Sequence, residues 1–439
     1  MATGYAYRVF GTPTDAKKWT FSAWCKKGTE GTYHIFGGGA TGQTGDGHSY
    51  LGLIPEFYGT YYNGSSSVWT TISNAKYRDP SGWYHYMFVY DSAQSTASNR
   101  IKGYINGEQI TSFDTATYPS QNYSTMWNNN GITHYLGRRG QSQSFEGSLS
   151  HVHFCDGYAY SPSDFGETDS TTGEWTIKVD PSVSYGNNGF WLFKNDASMT
   201  DQSPNSNNFT LSGSITPTQD CPDNVFATLN PLDNYYAAST LSNGNTSQTT
   251  HAGNYGWNAS TLGMTSGKFY VEMKQTGFSG SSNYNIAGIT SRQLTASNIY
   301  LGQGSEDWGY YAQGNGVYNG GSFLTTYASF TTNDIIGIAL DLDNNKLYFS
   351  KNGTWQNSGV PTSGSTGTGA ISITANKTYF FASGDYGTSL VCNNSWNFGN
   401  GYFGTTAVSS AGANASGIGI FEYDVPTGYT ALSTKGLNL

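Results

Sequence analysis

The 439-residue sequence predicts an all-β protein made of two β-sandwich domains in tandem. Aromatic residues make up 15% of the chain and charged residues only 11%, with 57 glycines and 34 tyrosines. This composition is typical of chains that bury aromatic and β-branched side chains on pleated sheets. No long run shows the apolar spacing of an amphipathic helix. One strand, turn and strand pattern occurs in both halves, which favours two separate sandwiches.

The repeated pattern is an antiparallel hairpin followed by an Asn-Gly turn. In the late copy, "DIIGIALDLDNNKLYFSKNGTW", Ile336, Ile338 and Leu340 share one face, and the second turn is Asn352-Gly353. The early copy, "WYHYMFVYDSAQSTASNRIKGYINGEQI", reaches Asn106-Gly107 in the same order. Asn-Gly favours a type I′ turn because both central residues need positive φ. The same type of hairpin is therefore expected in each half.

The remaining strands follow along the chain in two sets. Residues 1–212 form the first domain, with strands in "WTFSAWCKK", "WYHYMFVYD", "RIKGYINGEQITSF" and "SLSHVHFCDG". Residues 213–224 are predicted as a linker because Pro217 and Pro222 discourage regular structure. Residues 225–439 form the second domain, with strands in "GKFYVEMKQTG", "YNIAGIT", "WGYYAQ", "DIIGIALDL" and "KTYFFASGDYG".

Charge and cysteine usage exclude several classes of protein. The net charge is −9 and the basic residues are scattered, whereas nucleic-acid binding requires a concentrated basic surface. No apolar stretch reaches the roughly 18 residues that span a bilayer, and "MATGYAYRVFG" has no apolar signal core. The four cysteines form no CxxC pair, so we expect free thiols. A soluble chain without membrane insertion, nucleic-acid partner or export signal is expected.

Two groups of motifs carry family resemblances. "GKFYVEM", "GYYAQGNGVYNGG" and "IIGIALDLDNNKLYFSKNG" resemble a SPRY (B30.2-like) domain, and the resemblance covers residues 225–439. "KKWTFSAWCKKG", "DPSGWYHYMFVYD" and "FEGSLSHVHFCDG" resemble a laminin-G or concanavalin A-like jelly roll. These resemblances imply two concanavalin A-like/jelly-roll β-sandwich domains, each a curved pair of sheets.

The pairing of these two domains is similar to tail-fibre-like and structural proteins of tailed bacteriophages, especially marine ones. That resemblance implies a non-enzymatic virion surface protein, synthesised in the host cytoplasm and needing no cofactor. Its expected partners are other tail or capsid subunits and a host-surface glycan or protein. By analogy with phage fibres, we expect a homo-oligomer.

Carboxylate spacing argues against glycosidase chemistry. A retaining glycosidase needs two carboxyl groups about 5 Å apart, which one strand achieves as Glu-x-Asp-x-x-Glu. The sequence lacks that string. We expect Glu167 and Asp169 to lie solvated in a loop, and Asp341 and Asp343 to form a turn. No catalytic residue is predicted; glycan hydrolysis would instead depend on Glu167 or Glu306.

Candidate metal ligands occur at two places in the sequence, but no metal site is predicted. His151, His153 and Cys155 alternate and would share one strand face, with Val152 and Phe154 buried on the other. A solvent-facing histidine pair is the commoner arrangement, and no fourth zinc ligand is evident. Asp46 is a candidate for the rim calcium that the laminin-G resemblance implies.

Ligand recognition by loops is the remaining prediction. Two stretches, residues 36–69 and 300–323, interleave Tyr and Trp with Gly, Asn and Ser. Such rings offer large contact area at low entropy cost, and the small polar residues supply adaptable hydrogen bonds. The predicted contact residues are Tyr58, Tyr61, Tyr62, Trp69, Tyr311, Tyr318 and Asn319. The structural alternative is that Trp308, Tyr310 and Phe323 belong to a core.

Two other functions remain open from the sequence. A capsid decoration or cement protein would keep the same architecture without receptor binding. A secreted carbohydrate-binding lectin would carry an export signal and glycans at sequons such as Asn122-Tyr-Ser or Asn208-Phe-Thr.

Overall fold

The computed structural model divides into two compact units, residues 1–217 and 218–439, called unit 1 and unit 2 below. The division falls inside the segment predicted as a linker. The structure describes residues 4–28, 34–39, 49–63, 65–125, 127–140, 142–194, 197–233, 237–291, 298–313, 316–387 and 389–439. In both units the regular secondary structure of the described residues is almost all strand, which confirms the predicted all-β class.

Unit 1 contains the first eighteen strands of the described chain. Their bounds are β1 Tyr5–Val9, β2 Lys18–Lys27, β3 His34–Gly39, β4 Ser49–Ile54, β5 Glu56–Tyr62, β6 Ser67–Lys76, β7 Tyr84–Asp91, β8 Ile101–Ile105, β9 Glu108–Gln109, β10 Phe113–Thr117, β11 Thr133–Leu136, β12 Arg138–Arg139, β13 Ser142–Ser144, β14 Gly147–Asp156, β15 Gly166–Thr168, β16 Trp175–Ile177, β17 Phe190–Leu192 and β18 Thr210–Ser212. Two short 3₁₀ turns span Ala97–Asn99 and Pro162–Asp164.

Unit 2 contains the next seventeen strands. Their bounds are β19 Thr240–Ser242, β20 Ser247–Thr249, β21 Trp257–Ala259, β22 Lys268–Phe278, β23 Asn285–Thr290, β24 Asp307–Tyr311, β25 Gly316–Asn319, β26 Ser322–Thr326, β27 Ile335–Asp341, β28 Lys346–Lys351, β29 Thr354–Trp355, β30 Ile371–Ser372, β31 Phe380–Asp385, β32 Cys392–Asn397, β33 Tyr402–Phe403, β34 Thr406–Ala407 and β35 Thr430–Ala431. Its helical segments are Gln356–Ser358, Pro361–Thr366 and α1 Thr434–Leu437. Within the described residues, no helix is long and apolar enough to cross a bilayer.

Each unit packs two large sheets face to face. In unit 1 an eight-stranded sheet, in the order β10-β6-β5-β4-β3-β11-β1-β18, covers a six-stranded sheet in the order β17-β14-β2-β7-β8-β9. The rings of the core stack closely: the centroid of the Trp19 ring lies 5.5 Å from that of Phe88 and 5.3 Å from that of Trp127. This aromatic layer stabilises the core of unit 1, since each buried ring removes a large apolar area from water.

Unit 2 repeats the arrangement with different strands. One sheet runs β19-β20-β32-β22-β27-β28-β29, and the other runs β21-β31-β23-β24-β25-β26. Its core includes Ile336, Ile338 and Leu340, the residues predicted to share one face. All three are fully buried. The predicted pair of β-sandwiches in tandem is confirmed.

The two Asn-Gly turns close in the same way. Asn106 and Gly107 have φ of 50° and 82°, and Asn352 and Gly353 have φ of 49° and 78°. In each turn the asparagine Oδ1 accepts a hydrogen bond from the first-strand backbone: His85 N donates to Asn106 and Ile335 N donates to Asn352, both at 2.8 Å. The predicted type I′ geometry is therefore present twice, with the side chain sealing the start of the strand.

An aromatic ring covers the glycine of each turn. A Cβ at Gly107 would lie 2.5 Å from the Trp175 ring, and a Cβ at Gly353 would lie 2.6 Å from the Tyr423 ring. Positive φ and this close approach both require glycine. The turn thus holds a segment from later in the chain against the hairpin.

Replacing Gly353 by Ala should destabilise unit 2 by more than the ordinary cost of positive φ. That backbone cost is about 1–2 kcal/mol, and displacement of the Tyr423 ring adds to it. Gly428→Ala is the matched control, because Gly428 has φ of 87° and open space around its Cβ position. Chemical denaturation of both variants measures the difference. Equal losses would show that the ring contact contributes nothing.

Burial shifts the pKa of titratable groups in opposite directions in the two units: it lowers the pKa of histidines in unit 1 and raises the pKa of two carboxyl groups in unit 2. Burial lowers the pKa of five unit 1 histidines: His85 and His134 to about 3, His34 and His151 to about 4, and His153 well below its usual range. In unit 2, burial raises the pKa of Glu272 to about 7, against hydrogen bonds that lower it. Burial likewise raises the pKa of Asp385 to about 7.

Lowering the pH from 7 to 5 should therefore destabilise unit 1 and stabilise unit 2. Unfolded histidines take up protons below about 6.5 that the folded unit refuses, which costs about 1.4 kcal/mol per histidine and pH unit. Folded Glu272 and Asp385 keep protons that the unfolded chain releases, so their contribution is lost as the pH rises from about 4 to about 7. Denaturation with segment-resolved hydrogen exchange distinguishes the units. Shifts of the same sign in both units would contradict this assignment.

Candidate functional site

Small residues in the six-stranded sheet of unit 2 allow a loop to lie on its outer face. Gly288 on β23 pairs with Gly309 on β24 and with Ala382 on β31. A Cβ at Gly309 would lie 2.5 Å from the carbonyl oxygen of Leu301. The missing side chains therefore make room for residues 298–304 directly on the strands.

Packing and hydrogen bonds fix this loop in place. Leu301 is fully buried in a cluster with Trp257, Ile286 and Tyr311. The Trp257 indole Nε1 donates to the carbonyl oxygen of Ile299 at 3.0 Å. Tyr300 is consequently held at the edge of the loop, over the end of the sheet.

A cleft of about 290 Å³ lies between this loop and the strand ends. Its size is at the lower end of the range for small-molecule sites. Five tyrosines contribute to its lining, and none of the lining side chains is charged. The lining residues are Asn283, Tyr284, Asn285, Tyr300, Tyr311, Gln313, Tyr318, Gly321 and Tyr386.

The tyrosine rings of the cleft support one another. Tyr311 and Tyr318 stack with their centroids 4.4 Å apart, and Tyr300 meets Tyr386 edge-on at 4.6 Å. Tyr255 stacks on Tyr386 at 5.8 Å from outside the lining. Such contacts contribute about 0.5–1.5 kcal/mol each beyond area burial, so the cleft is preorganised.

The hydrogen-bonding groups of the cleft are neutral. Burial raises the pKa of Tyr300 and, more strongly, of Tyr311, so both keep their phenolic protons. Asn283 and Asn285 are engaged elsewhere: Asn283 Nδ2 donates to the Phe330 carbonyl at 2.9 Å, and Asn285 Nδ2 to Asn394 Oδ1 at 2.6 Å. The cleft therefore presents flat rings, phenolic hydroxyls and the exposed amide of Gln313 to a ligand.

Of the residues predicted in the second domain, two line this cleft. Tyr311 and Tyr318 do so. Asn319 does not; its Nδ2 donates to the carbonyls of Ser305 at 2.9 Å and Asp307 at 2.7 Å. It therefore closes a turn and is not a lining residue. Trp308 and Tyr310 are core residues, as the structural alternative held, whereas 50% of the Phe323 surface is exposed.

The prediction that Tyr61 and Trp69 contact a ligand is wrong. Tyr61 on β5 and Trp69 on β6 form a cross-strand pair, and both are fully buried. Trp69 stacks on Phe88 of the opposite sheet at 5.2 Å. Alternation places Tyr58 and Tyr62 on the other face of β5, where both are half-buried. The rings of this stretch thus divide between core and surface.

The predicted histidine pair is not on a solvent face. The ladder between β14 and β2 shifts register between Ser150 and His153, and His151 has φ of 44°. His151 is 7% exposed and His153 is 2% exposed, with His153 Nδ1 2.9 Å from the Tyr185 hydroxyl. Asp46 lies outside the described residues. Among those described, no group of three or more His, Cys, Asp or Glu could hold a metal ion.

The acidic residues considered for catalysis have structural partners or lie exposed. Asp341 pairs with Lys268 at 3.1 Å and accepts from Asn344 N at 3.0 Å, which confirms its predicted role in the turn. Glu306 pairs with Lys377 at 2.5 Å. Glu167 is exposed, but it lies in the short strand β15 and not in a loop.

Sequence reasoning missed Tyr284, Tyr300 and Tyr386 as lining residues. Tyr300 fell inside a stretch predicted to display aromatic contacts, so its composition carried a signal. Tyr386 follows β31, whose neighbour β23 precedes it by about a hundred residues in the chain. Only the pairing of these strands brings Tyr386 to Tyr300, and no local pattern reveals that.

Family comparisons agree with the two predicted resemblances. Residues 3–164 match a family model described as Concanavalin A-like lectin/glucanases superfamily, and residues 266–378 match one described as SPRY domain. No curated protein matches the chain.

Solved structures also match. The SPRY domain of human HERC1 is 18% identical, with 38% of this chain and 96% of that chain covered and a TM-score of 0.32. The TRIM65 PSpry domain is 14% identical, with 39% and 91% covered and a TM-score of 0.29. Stonustoxin is 17% identical, with 49% and 34% covered and a TM-score of 0.29.

The corrected placement of Trp69 makes a direct prediction. Trp69→Ala should destabilise unit 1 by about 3–5 kcal/mol, because it leaves a cavity among stacked rings. Tyr62→Ala, on the other face of the sheet, should cost less than about 1 kcal/mol. Denaturation curves of both variants test this. If Trp69→Ala lowered the stability as little as Tyr62→Ala does, Trp69 would not be a core residue.

Proposed function

We propose that this chain is a non-enzymatic recognition protein whose unit 2 binds an uncharged ligand in the tyrosine cleft. The observation that carries the proposal is the arrangement of five tyrosines around a preformed, uncharged cleft. Concanavalin A-like and SPRY folds are both compatible with binding modules, so the site and not the fold decides the ligand.

A neutral glycan or an uncharged protein segment suits this cleft. Aromatic rings cover the apolar faces of sugars, and phenolic hydroxyls with the Gln313 amide meet hydroxyl groups. The site is small, so each contact is weak. Repetition of the site on a homo-oligomer or particle would supply avidity without a deeper pocket.

The absence of enzymatic activity is part of the proposal. It is supported by the ion pair that Glu306 makes with Lys377 and by the turn role of Asp341. If glycan hydrolysis occurred, bound oligosaccharides would show new reducing ends that disappear on replacement of Glu167 or Glu306.

We also propose a tailed-phage virion as the setting, with attachment to the host surface as the role. The support is the pairing of the two folds and four free cysteines, three of them buried. Free thiols suit synthesis in a reducing cytoplasm. Electron microscopy of particles carrying a tag on this chain tests the setting. Clefts facing solvent support attachment, whereas clefts packed on the shell support the cement alternative.

The secreted lectin is distinguished by covalent modification. Asn122 and Asn208 are both exposed, so their sequons are accessible to glycosylation. Mass spectrometry of native material should show the unmodified mass. Glycans at either residue would favour the lectin alternative.

Replacing Tyr300 and Tyr386 together by Ala should lower affinity for a neutral glycan or host-surface protein at least ~10-fold. The two rings meet edge-on in the lining of the cleft, and aromatic residues in such positions commonly contribute more than about 1 kcal/mol each. Glycan-array and host-cell binding of the full chain measure the change.

Tyr402→Ala is the matched control, since Tyr402 is a half-buried unit 2 tyrosine outside the lining. It should bind like the original chain. Equal binding by the double variant would refute the cleft as the site. Binding of no glycan and no host cell by the original chain would favour the cement alternative.

A further inference from the structure

The outer face of the eight-stranded sheet in unit 1 carries a second cluster of tyrosines. One row across the strands runs from Tyr7 through Tyr135, Gly37 and Tyr50 to Thr60. Adjacent strands lie about 4.8 Å apart, so Tyr7 and Tyr50 are separated by about 14 Å. A ligand that contacts the whole row must therefore be an extended molecule, longer than a single sugar ring.

A hairpin lies across the middle of this row. Strands β12 and β13 pair with each other, and a Cβ at Gly37 would lie 3.0 Å from the carbonyl oxygen of Arg138. The glycine therefore lets the hairpin cross directly over β3. Its two arginines reach to opposite sides, one to each group of tyrosines.

Each guanidinium is stacked on a tyrosine. Arg138 lies 4.2 Å from the ring centroid of Tyr5, which lies 6.2 Å from Tyr135. Arg139 lies 4.5 Å from the Tyr50 ring, which stacks on Tyr58 at 5.1 Å. Stacking on Tyr5 leaves the terminal N–H groups of Arg138 directed sideways, where a carboxylate forms two parallel hydrogen bonds. Arg139 Nη1 already donates to Gln143 Oε1 at 3.0 Å.

Arg138 makes no ion pair within the described residues. The carboxylate at the end of this face, Glu56, pairs with Lys76 at 3.5 Å. His34, which touches Tyr50 at 4.1 Å, is fully buried and bonds to Gln143 at 2.8 Å. The chain as a whole carries −9, so this face differs from the overall charge.

We propose that this face binds a carboxylated oligosaccharide, with Arg138 contacting a carboxylate and the flanking tyrosines covering sugar rings. An acidic peptide is disfavoured, because peptides join sheets at free strand edges or insert side chains into pockets. Strands β11, β3 and β4 are paired on both sides. The hydroxyls of Tyr50, Tyr58 and Thr70 suit a ligand rich in hydroxyl groups.

Binding of acidic oligosaccharides to the full chain tests the proposal. The probes are hexamers of galacturonic acid, hyaluronan hexamers and oligomers of sialic acid, each compared with its methyl ester, which keeps the sugars and removes the charge. Calorimetry should show at least one acid form binding at least ~10-fold more tightly than its ester. Added salt should weaken that binding. If none of the three acids binds, or if an ester binds equally, the proposal is wrong.

Variants assign the binding to this face. Arg138→Gln should lower affinity for the acid at least ~10-fold, and Arg138→Lys should give an intermediate loss because a bidentate contact is lost while the charge stays. Lys102→Gln removes the same charge from β8 on the other sheet and should have no effect. If Lys102→Gln and Arg138→Gln lowered the affinity for the acid equally, the loss would come from net charge alone, and the proposed site would be wrong.

The outcome is independent of the cleft in unit 2. The variant with Tyr300 and Tyr386 replaced by Ala should bind the acidic probe as the original chain does. Thermal denaturation of Arg138→Gln with and without the acid completes the test. The acid should raise the melting temperature of the original chain but not of the variant, whereas a purely structural Arg138 would lower the melting temperature in both samples alike.

Discussion

Close approach of a second chain segment to the outer face of a sheet is the constraint on which both candidate sites depend. At Gly309 the space left by the missing side chain admits the carbonyl of Leu301, and at Gly37 it admits the backbone of Arg138. A β-sandwich normally leaves its outer faces flat and solvated, which offers little to a ligand. In this chain a loop in unit 2 and a hairpin in unit 1 lie on the outer faces of the sheets, so these faces are no longer flat. The tyrosines beside them are held by ring contacts and are therefore positioned before any ligand arrives.

The two candidate sites differ in charge, so the two proposals call for different ligand chemistries. The cleft of unit 2 has tyrosine hydroxyls and no charged lining residue. The face of unit 1 carries two guanidiniums stacked on rings. If both proposals hold, a surface that presents both neutral and acidic sugars would engage both units. Simultaneous engagement would raise the effective affinity beyond that of either site, provided that the spacing of the ligands matches that of the sites.

The sequence predicted strands and turns better than it predicted which rings meet a ligand. Asn352-Gly353 is a local signal with one dominant conformation, so the turn could be predicted and was confirmed. Tyr61 and Trp69 were assigned to the surface because glycine and serine flank them. Both faces of β5 carry tyrosines, and alternation alone does not say which face is inside. Arg138 and Arg139 are two of the basic residues that the sequence shows only as scattered charges. Their importance depends on the hairpin folding over Gly37, which requires knowledge of the pairing between β11, β3 and β4.

Hydrogen exchange measured by mass spectrometry on the full chain, saturated in turn with a neutral and an acidic oligosaccharide that bind, tests the central claim most directly. The account predicts that the neutral ligand slows exchange in residues 298–313 and 383–387. The acidic ligand should slow exchange in residues 134–140 and 49–60. Protection of the same segments by both ligands, or protection confined to other loops, would contradict the account of two separate sites built on outer sheet faces.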